Sequence, residues 1–411
     1  MTFPKVVRSI ADNYKDLSPD NSYTNLCSWI TYFLFGNESV SDLSRTAPCC
    51  PSVSELSRSA KLFPTNRMIK RARSSILRRY KGQITKDNFT FVIDDTANPK
   101  YSKNCFKSNH WHGSTGAWFG QKVIVLALVD MNRGIAIPIA YAIASKKEDP
   151  DYKKGTDLAL ELLKLALDEG FPPLSVVFDS WFDSSELMEK LEAEGFTYVS
   201  EIKSNRSVKN NPNPYSKWGK LSDSFKKLPR KRAYTRFDSK KIKKGQKKSK
   251  VFSEQYLYIK KRKKPLKAIA VYNRLNGKKA FSYIVSTDLS MSGARIWELS
   301  RARWKIEVMF RDLKQNLSFG RLPSAGEENV NLAVCIPMII LINLRLFPEK
   351  SGIDSQKSIG DMVDQIRETS LQRSIDFLIF KENHQVIAKF KNRRHFKRLN
   401  KKPIDHVVEA A

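Results

Sequence analysis

The chain has 411 residues, of which 41% are hydrophobic, so it can bury a full core and form more than one domain. Its 73 Lys and Arg residues outnumber its 42 Asp and Glu residues, which leaves a formal net charge of +31. This composition excludes a disordered polymer, and the excess of cations indicates a polyanionic partner that is bound through phosphate contacts.

Cysteine spacing and apolar segments indicate the compartment. The five cysteines lack the spacing of a disulfide framework, and the sequence has no CxxC or HxxxH pair of the kind that binds zinc. No apolar segment of signal-peptide length stands near the first residues. Residues 330–347 form a long apolar run, but Pro337 and three polar residues interrupt it, which favours a buried helix over a membrane span. We therefore predict a reduced, cytoplasmic protein that associates with the nucleoid and not with a membrane.

Residues 1–87 have the pattern of a helical DNA-binding region. The segment 66–80 carries six Lys and Arg residues beside apolar residues at helical spacing, which is typical of a basic amphipathic helix. Arg71 is the residue of this segment that we assign to DNA. The alternative for the segment is a solvated surface helix without a ligand.

Residues 88–206 alternate between apolar strands and amphipathic helices. Three successive strands with a turn at Asn132–Gly134 predict an antiparallel meander, and helices separate the later strands. The predicted strands are 89–94, 122–131, 134–143, 174–179 and 197–202, and the predicted helices are 156–169 and 184–193. This order predicts a mixed α/β fold with right-handed crossovers in its later part.

The rest of the chain divides into three further parts. Residues 207–290 contain period-two strands and lysine-rich turns such as 240–250, which predicts a basic β-rich insertion. The lysine runs are either solvated loops or phosphate contacts, and the overall positive charge favours the second. Residues 291–350 return to the core, and residues 351–411 are predicted to form a helical C-terminal region with a basic tail at 389–402.

Carboxylates stand where two predicted strands end. Asp94 and Asp95 follow the first strand, and Asp179 follows a later one. If these strands are neighbours, the acids meet at one edge of the sheet, where a hard divalent cation such as Mg²⁺ would offset their repulsion. A helix predicted at 300–319 could supply Glu307 as a third acid. Two metal ions held there would activate a water or a 3′-hydroxyl for in-line displacement at a phosphodiester.

Each of these residues also has a purely structural explanation. The aspartates after the first strand could cap a turn, and Asp179 could cap the helix that follows it. Arg303 and Glu307 could be an ordinary surface ion pair one helical turn apart. Trp181 and Trp304 are predicted to be core aromatics rather than residues that stack on nucleobases.

Four segments in order carry a family resemblance: IDDT at 93–96, VFDSWF at 177–182, EIKSNR at 201–206 and RWKIEVMFRDLK at 303–314. Together they resemble DDE transposases of the insertion-sequence-4 type, over about residues 88 to 350. The last segment is similar to that family's signature Y-x2-R-x3-E-x6-K, although Ser300 stands where the Tyr is expected.

The resemblance implies a ribonuclease H-like catalytic core with a β-rich insertion. It makes Asp94, Asp179 and Glu307 the catalytic triad and the ligands of two Mg²⁺ ions, for which Mn²⁺ could substitute. Asp95 is the alternative for the first ligand. Asp94 is preferred because it directly follows the predicted strand and because one residue separates it from Thr96, which gives the spacing D-x-T.

The resemblance also implies DNA contacts. Arg303 and Lys314 would bind the phosphates that flank the scissile bond. Lys203, Asn205 and Arg206 are further candidates for contacts with the DNA strand.

The function that the resemblance implies is cut-and-paste DNA transposition. A homodimer would recognise terminal inverted repeats, hydrolyse the phosphodiester at the transposon end to free a 3′-OH, and join that hydroxyl to target DNA. One alternative is a catalytically inactive, transposase-derived DNA-binding protein. The other is a ribonuclease H-like nuclease without strand transfer.

Overall fold

The computed structural model describes residues 3–17, 19, 22–36, 50–100, 103–113, 116–182, 184–213, 215–233, 250–275, 279–322 and 325–380. The helices are α1 (Lys5–Asp12), α2 (Tyr23–Phe35), α3 (Val53–Ser59), α4 (Thr65–Arg79), α5 (Gly155–Asp168), α6 (Ser185–Ala193), α7 (Leu221–Ser224), α8 (Gly293–Ala302), α9 (Trp304–Asn316), α10 (Glu327–Leu346) and α11 (Ile359–Phe380). The strands are β1 (Phe89–Pro99), β2 (Asn109–Gly113), β3 (Gly116–Asp130), β4 (Ile135–Ile143), β5 (Ser175–Phe178), β6 (Thr197–Glu201), β7 (Ser207–Lys209), β8 (Gly219–Lys220), β9 (Lys231–Ala233), β10 (Lys250–Ile259), β11 (Leu266–Tyr272) and β12 (Ser282–Ser286).

The centre of the sheet has the strand order β4-β3-β1-β5-β6. β1, β3 and β4 form the predicted antiparallel meander, while β5 and β6 run parallel to β1. Every residue of β5 is buried, as expected for a parallel strand covered on both faces. The chain connects β4 to β5 through α5, and β5 to β6 through α6. This is the arrangement of a ribonuclease H-like core, so the predicted mixed α/β fold class is confirmed.

The sheet continues beyond β6 into the segment predicted as a β-rich insertion. β12 pairs antiparallel with β6, and β11, β10 and β7 follow in that order. The segment is therefore β-rich, and its strands extend the sheet of the core. The lysine run at 240–250 lies outside the described residues except for Lys250, which begins β10.

The first strand does not end at the aspartates, contrary to the prediction. β1 continues through Asp94 and Asp95 to Pro99, because it stays paired with β3 over its whole length. Its parallel pairing with β5 stops earlier, at Val92. The aspartates therefore lie within a strand, just beyond the point where its second neighbour ends.

The helix predicted at 300–319 is also different, because two helices, α8 and α9, meet at a turn at Arg303. Leu299 and Ala302 are buried before the turn, and Ile306 is buried after it. The apolar pattern thus continues across the turn, which is why periodicity did not reveal the break.

The basic helix predicted at 66–80 corresponds to α4, and one of its six cations is structural. Arg73 is only 3% exposed, donates to the carboxylate of Glu169 (Nη2 to Oε1, 2.7 Å), and donates to the carbonyl of Ile139 at 3.0 Å. Arg71 on the same helix is half-buried. The helix is therefore packed into the protein and not simply solvated.

Contacts divide the chain into two compact units in its described parts. One comprises Ile69–Arg311 and Ser324–Val330 and contains the sheet; the other comprises Met1–Met68, Asp312–Pro323 and Asn331–Ala411. These two units do not test the predicted division of the sequence into five domains, which remains a prediction.

Helix α10 is a long apolar helix, most of which belongs to the second of these units, called here the helical unit. It is the one helix of the described residues that is long and apolar enough to cross a membrane, but 89% of its most apolar window is buried within the protein. Two of its buried polar side chains make hydrogen bonds: Asn343 donates to the carbonyl of Ile339 at 2.8 Å, and Nη2 of Arg345 donates to Asp312 at 2.8 Å. The helix is buried, as predicted, whereas the basic tail at 389–402 lies outside the described residues.

Candidate active site

Three carboxylates fall level with one another on β1, β5 and β6. Val92 of β1 pairs with Val177 of β5, and the same register continued by two residues places Asp94 level with Asp179. The register between β5 and β6 likewise places Glu201 level with Asp179. The strand residues before these acids are buried, so the acids are the first partly exposed positions at this end of the parallel strands.

Arg303 lies among these carboxylates. Its Nη1 atom is 3.4 Å from Oδ2 of Asp94 and 2.8 Å from Oε1 of Glu307. The side chains of Arg303 and Asp94 are 25% and 15% exposed, which makes their contact part-buried. The turn between α8 and α9 carries the guanidinium, and the first turn of α9 carries Glu307. The structure therefore brings a strand aspartate and a helix glutamate to the same cation.

The electrostatics of the site favour a cation. Burial raises the pKa of Asp94 to about 7, with help from the nearby Asp95 and Asp179 carboxylates and against the lowering effect of Arg303. Burial opposes the charge of Arg303, but the carboxylates of Asp94, Asp179, Glu307 and Glu201 outweigh it and raise the pKa of the guanidinium. More negative charge is gathered here than one arginine offsets.

Asp179 and Glu201 complete the carboxylate group. One carboxylate oxygen of Asp179 accepts a hydrogen bond from the backbone N–H of Ser180 at 2.6 Å. Glu201 accepts a hydrogen bond from the hydroxyl of Ser282 on β12. Sequence reasoning missed Glu201, although it begins the EIKSNR segment, because only the residues after it were considered.

Asp94 and Asp95 have different surroundings, as successive residues of a strand should. Asp95 Oδ2 lies 3.4 Å from Nζ of Lys122 on β3, whereas Asp94 contacts Arg303. The backbone N–H of Asp95 also donates to Asp94 Oδ1 at 2.9 Å. Of the two aspartates, Asp94 is the one that the structure brings to Arg303.

The predicted DNA-contacting residues of the EIKSNR segment lie in the turn after β6. Lys203 and Asn205 are exposed, Arg206 is half-buried, and the N–H of Arg206 donates to the carbonyl of Lys203 at 2.9 Å. This turn directly follows Glu201, so the two exposed side chains stand close in sequence to the carboxylate edge.

Lys314 and Ser300 are the remaining positions of the signature in the last segment. Lys314 is half-buried in the part of α9 that belongs to the helical unit. Ser300, in α8, accepts at its carbonyl the hydrogen bond from the N–H of Arg303 at 3.2 Å. Ser300 thus supports the turn through its backbone, which any residue at this position could do.

The prediction that Trp181 and Trp304 are core aromatics is wrong. Their exposed fractions are 56% and 54%. Trp181 lies in a single turn after β5, where Phe182 takes the buried position instead. Trp304 is the first residue of α9, and the neighbouring buried position belongs to Ile306.

The donor chemistry of the site fits a divalent cation. Carboxylate oxygens are the ligands that Mg²⁺ prefers, and the pKa of Asp94 is raised by burial and, to a smaller extent, by the carboxylates of Asp95 and Asp179. Within the described ranges, no three His, Cys, Asp or Glu side chains are already arranged to hold a metal ion. Arg303 stands between the acids, so its guanidinium must withdraw before the same oxygens can share a metal.

Comparison with known proteins identifies the family. A sequence model described as the transposase DDE domain matches residues 86–344, more than half of the chain. The chain is similar in structure to a piggyBac transposase synaptic complex with hairpin DNA, with 13% identity and a TM-score of 0.44 over 84% of this chain and 69% of that chain.

Two further solved structures are similar at lower scores. For a Drosophila P element transposase strand transfer complex, the identity is 12% and the TM-score 0.21, over 53% of this chain and 40% of that chain. For Ciona intestinalis endonuclease V in complex with a 23mer DNA, the identity is 12% and the TM-score 0.27, over 64% of this chain and 99% of that chain. No curated protein matches. The domain match confirms the resemblance to DDE transposases, whereas the insertion-sequence-4 type remains a prediction. The chain belongs to the transposase DDE domain family.

Proposed function

We propose that this protein is a transposase that hydrolyses the phosphodiester at transposon ends, frees a 3′-OH and joins that hydroxyl to target DNA. The observation that carries the proposal is Arg303, a cation held by Asp94 and Glu307 close to Asp179 at the ends of parallel strands. Membership of the transposase DDE domain family supplies the substrate class, and the net charge of +31 suits a DNA partner.

Asp94, Asp179 and Glu307 are the residues that would hold two Mg²⁺ ions, with Mn²⁺ as a substitute. DDE transposases generally depend on divalent metal ions. The ions supply activation of the attacking water or hydroxyl and stabilisation of charge on the leaving oxygen. Asp94 is preferred to Asp95 as a ligand because Asp95 is paired with Lys122.

Arg303 exchanges partners in this proposal. In the DNA-free protein its guanidinium neutralises part of the charge of Asp94 and Glu307. When DNA enters, the same planar group can turn to a phosphate next to the scissile bond, because guanidinium binds phosphate with two parallel hydrogen bonds. This exchange frees the carboxylate oxygens as the substrate arrives.

The other cations would hold the DNA backbone. Lys203 and the neutral Asn205 are exposed in the turn that follows Glu201, and the N–H of Arg206 closes that turn. Lys314 and Arg71 are proposed as further DNA contacts.

The finer features of the assignment are part of the same proposal. A homodimer would hold two transposon ends together, and the enzyme would be of the insertion-sequence-4 type. It would act in the cytoplasm with the nucleoid, with residues 1–87 as a DNA-binding region.

The test uses the DNA that flanks the gene as the source of transposon ends. Labelled flanking duplexes are incubated with the purified protein and Mg²⁺ or Mn²⁺, and pre-cleaved ends are incubated with a target plasmid. We expect cleavage that leaves a 3′-OH, and joined products from the pre-cleaved ends. The Glu307→Gln variant should bind the same DNA and lose cutting and joining by orders of magnitude, because it removes one carboxylate of the triad.

Two other results would overturn the proposal in different ways. A folded wild-type protein that binds the ends but neither cuts nor joins them would be an inactive DNA-binding protein. Cutting without any joined product would make it a nuclease.

A further inference from the structure

Trp181 is held in a fixed position while more than half of its surface is exposed. It lies two residues after Asp179, and its exposed fraction is 56%. The ring of Phe182 packs edge-on against it, with centroids 4.8 Å apart. A Cβ added at Gly155 would be 2.7 Å from a ring carbon of Trp181, so the indole lies directly against the glycine backbone. The ring is therefore positioned by its neighbours and is still open to a further partner.

One ammonium group lies over this ring, and a second indole with its own lysine is next to it. Nζ of Lys122 lies 3.9 Å from its centroid, and the same ammonium is 3.4 Å from Asp95. Lys122 also lies 5.8 Å from the ring of Trp111, over which Nζ of Lys146 stands at 5.2 Å. Two lysines and two indoles thus form one cluster on the side of β1 where Asp95 projects.

An exposed indole beside ammonium groups is suited to a nucleotide. Indole faces stack on nucleobases of any sequence, while lysine binds the phosphate of the same nucleotide. Bases within a duplex already have both faces covered by their neighbours. A base in the interior of a duplex can stack on Trp181 only if it is unpaired and leaves the helix, so the cluster discriminates between paired and unpaired stretches within DNA.

We propose that Trp181 is a stacking site for an unpaired nucleobase of the DNA strand that reaches the carboxylates, with Lys122 and Lys146 beside its phosphate. The inference rests on the proposed function for the identity of the strand. It adds a positioning role next to Asp179, because a base held two residues from that aspartate fixes where the adjoining phosphate lies.

The test compares two DNA probes by fluorescence anisotropy in the absence of metal ions. One is a fully paired duplex that carries the end sequence, and the other is the same duplex with a few mismatched, unpaired nucleotides in its interior, one of which is 2-aminopurine; both probes have the same blunt termini. Trp181→Ala should weaken binding of the second probe about tenfold and leave binding of the first within about twofold. Trp181→Phe should retain most of the preference, because phenylalanine still offers a ring face.

Two further variants separate stacking from folding. Gly155→Ala should reproduce the loss with Trp181 intact, because the new Cβ displaces the ring, while alanine at a helix start is favourable for folding. Tyr256→Ala is the matched control: Tyr256 is 51% exposed and has the ammonium of Lys267 5.2 Å from its ring, but it lies on β10. It should leave both probes unchanged.

The outcomes distinguish this inference from the proposed function. If Trp181→Ala weakens both probes equally, or neither, the stacking site is wrong, even when the wild-type protein cuts and joins transposon ends. If the wild-type protein prefers the unpaired probe through Trp181 but cuts no DNA with Mg²⁺ or Mn²⁺, the stacking site stands and the transposase assignment fails. Quenching of 2-aminopurine by the wild-type protein and not by Trp181→Ala would support direct contact.

Discussion

Replacing Arg303 with glutamine should destabilise the metal-free protein and increase its stabilisation by divalent metal. Two unit charges at the 3.4 Å that separates Arg303 from Asp94 attract with roughly 5 kcal/mol at an effective dielectric constant of about 20. Desolvation of the guanidinium offsets part of this attraction, and the Arg303–Glu307 pair is too exposed to add more than about 1 kcal/mol. We expect a net loss of about 2 kcal/mol in the free energy of unfolding.

The loss should depend on pH in a direction set by Asp94. Its pKa is about 7 in the folded chain against an ordinary 3.8, so the folded state keeps a proton that the unfolded state has released. The free energy of unfolding therefore falls as pH rises between these two values. Arg303 lowers the pKa of Asp94, so without Arg303 the fall in the free energy of unfolding continues to a higher pH and is larger in total. The cost of Arg303→Gln should be larger at about pH 8 than at about pH 5.

Urea unfolding with and without Mn²⁺ measures both effects. Mn²⁺ should stabilise Arg303→Gln more than the wild-type protein, because no guanidinium competes for the carboxylates. Arg301→Gln, at an exposed position on α8, is the matched control and should change stability by less than about 0.5 kcal/mol. If Arg303→Gln is as stable as wild type at about pH 8, or if Mn²⁺ stabilises both proteins equally, Arg303 does not occupy a cation site.

Three further predictions concern other charges. Asp94→Asn removes a carboxylate that burial makes costly to ionise, so urea unfolding should show a stabilisation of a few kcal/mol at about pH 8 and little change at about pH 4 in the metal-free protein. A change that does not depend on pH would show that the pKa of Asp94 is not raised by folding. Arg73→Ala should cost about 3 kcal/mol, because it leaves a buried carboxylate unpaired, whereas Lys70→Ala at an exposed position of the same helix should be nearly neutral. Lys203→Ala and Arg71→Ala should each weaken DNA binding by a similar factor for every DNA sequence. Each should also reduce the magnitude of the slope of log affinity against log salt concentration by about one, and an unchanged slope would show that the residue does not contact phosphate.

The sequence was sufficient for the parts of the fold that depend on local pattern. Apolar runs identified β1 and β5, and Asp94 and Asp179 marked the point where the parallel pairing of these strands ends before any pairing was known. The buried helix α10 was recognised because polar residues interrupt its apolar run. These features follow from periodicity and from the position where burial ends.

Other features depend on contacts that periodicity does not contain. The turn at Arg303 was hidden because apolar residues are buried on both sides of it. Trp181 was expected inside, but Phe182 fills that position and Gly155 leaves room for the indole at the surface. Glu201 joins the carboxylates only through the register between β5 and β6, a long-range pairing that no local pattern specifies.

Metal-dependent cleavage by paired aspartate variants tests the central claim most directly. Labelled flanking DNA is incubated with Mn²⁺ and with wild type, Asp94→Asn or Asp95→Asn, after DNA binding has been measured for each protein. The arrangement around Arg303 predicts that Asp94→Asn binds the DNA and loses cleavage by orders of magnitude. Asp95→Asn disturbs the contact with Lys122 and leaves the carboxylate of Asp94 beside Arg303, so it should still cut. Cleavage that survives Asp94→Asn and disappears in Asp95→Asn would contradict the assignment.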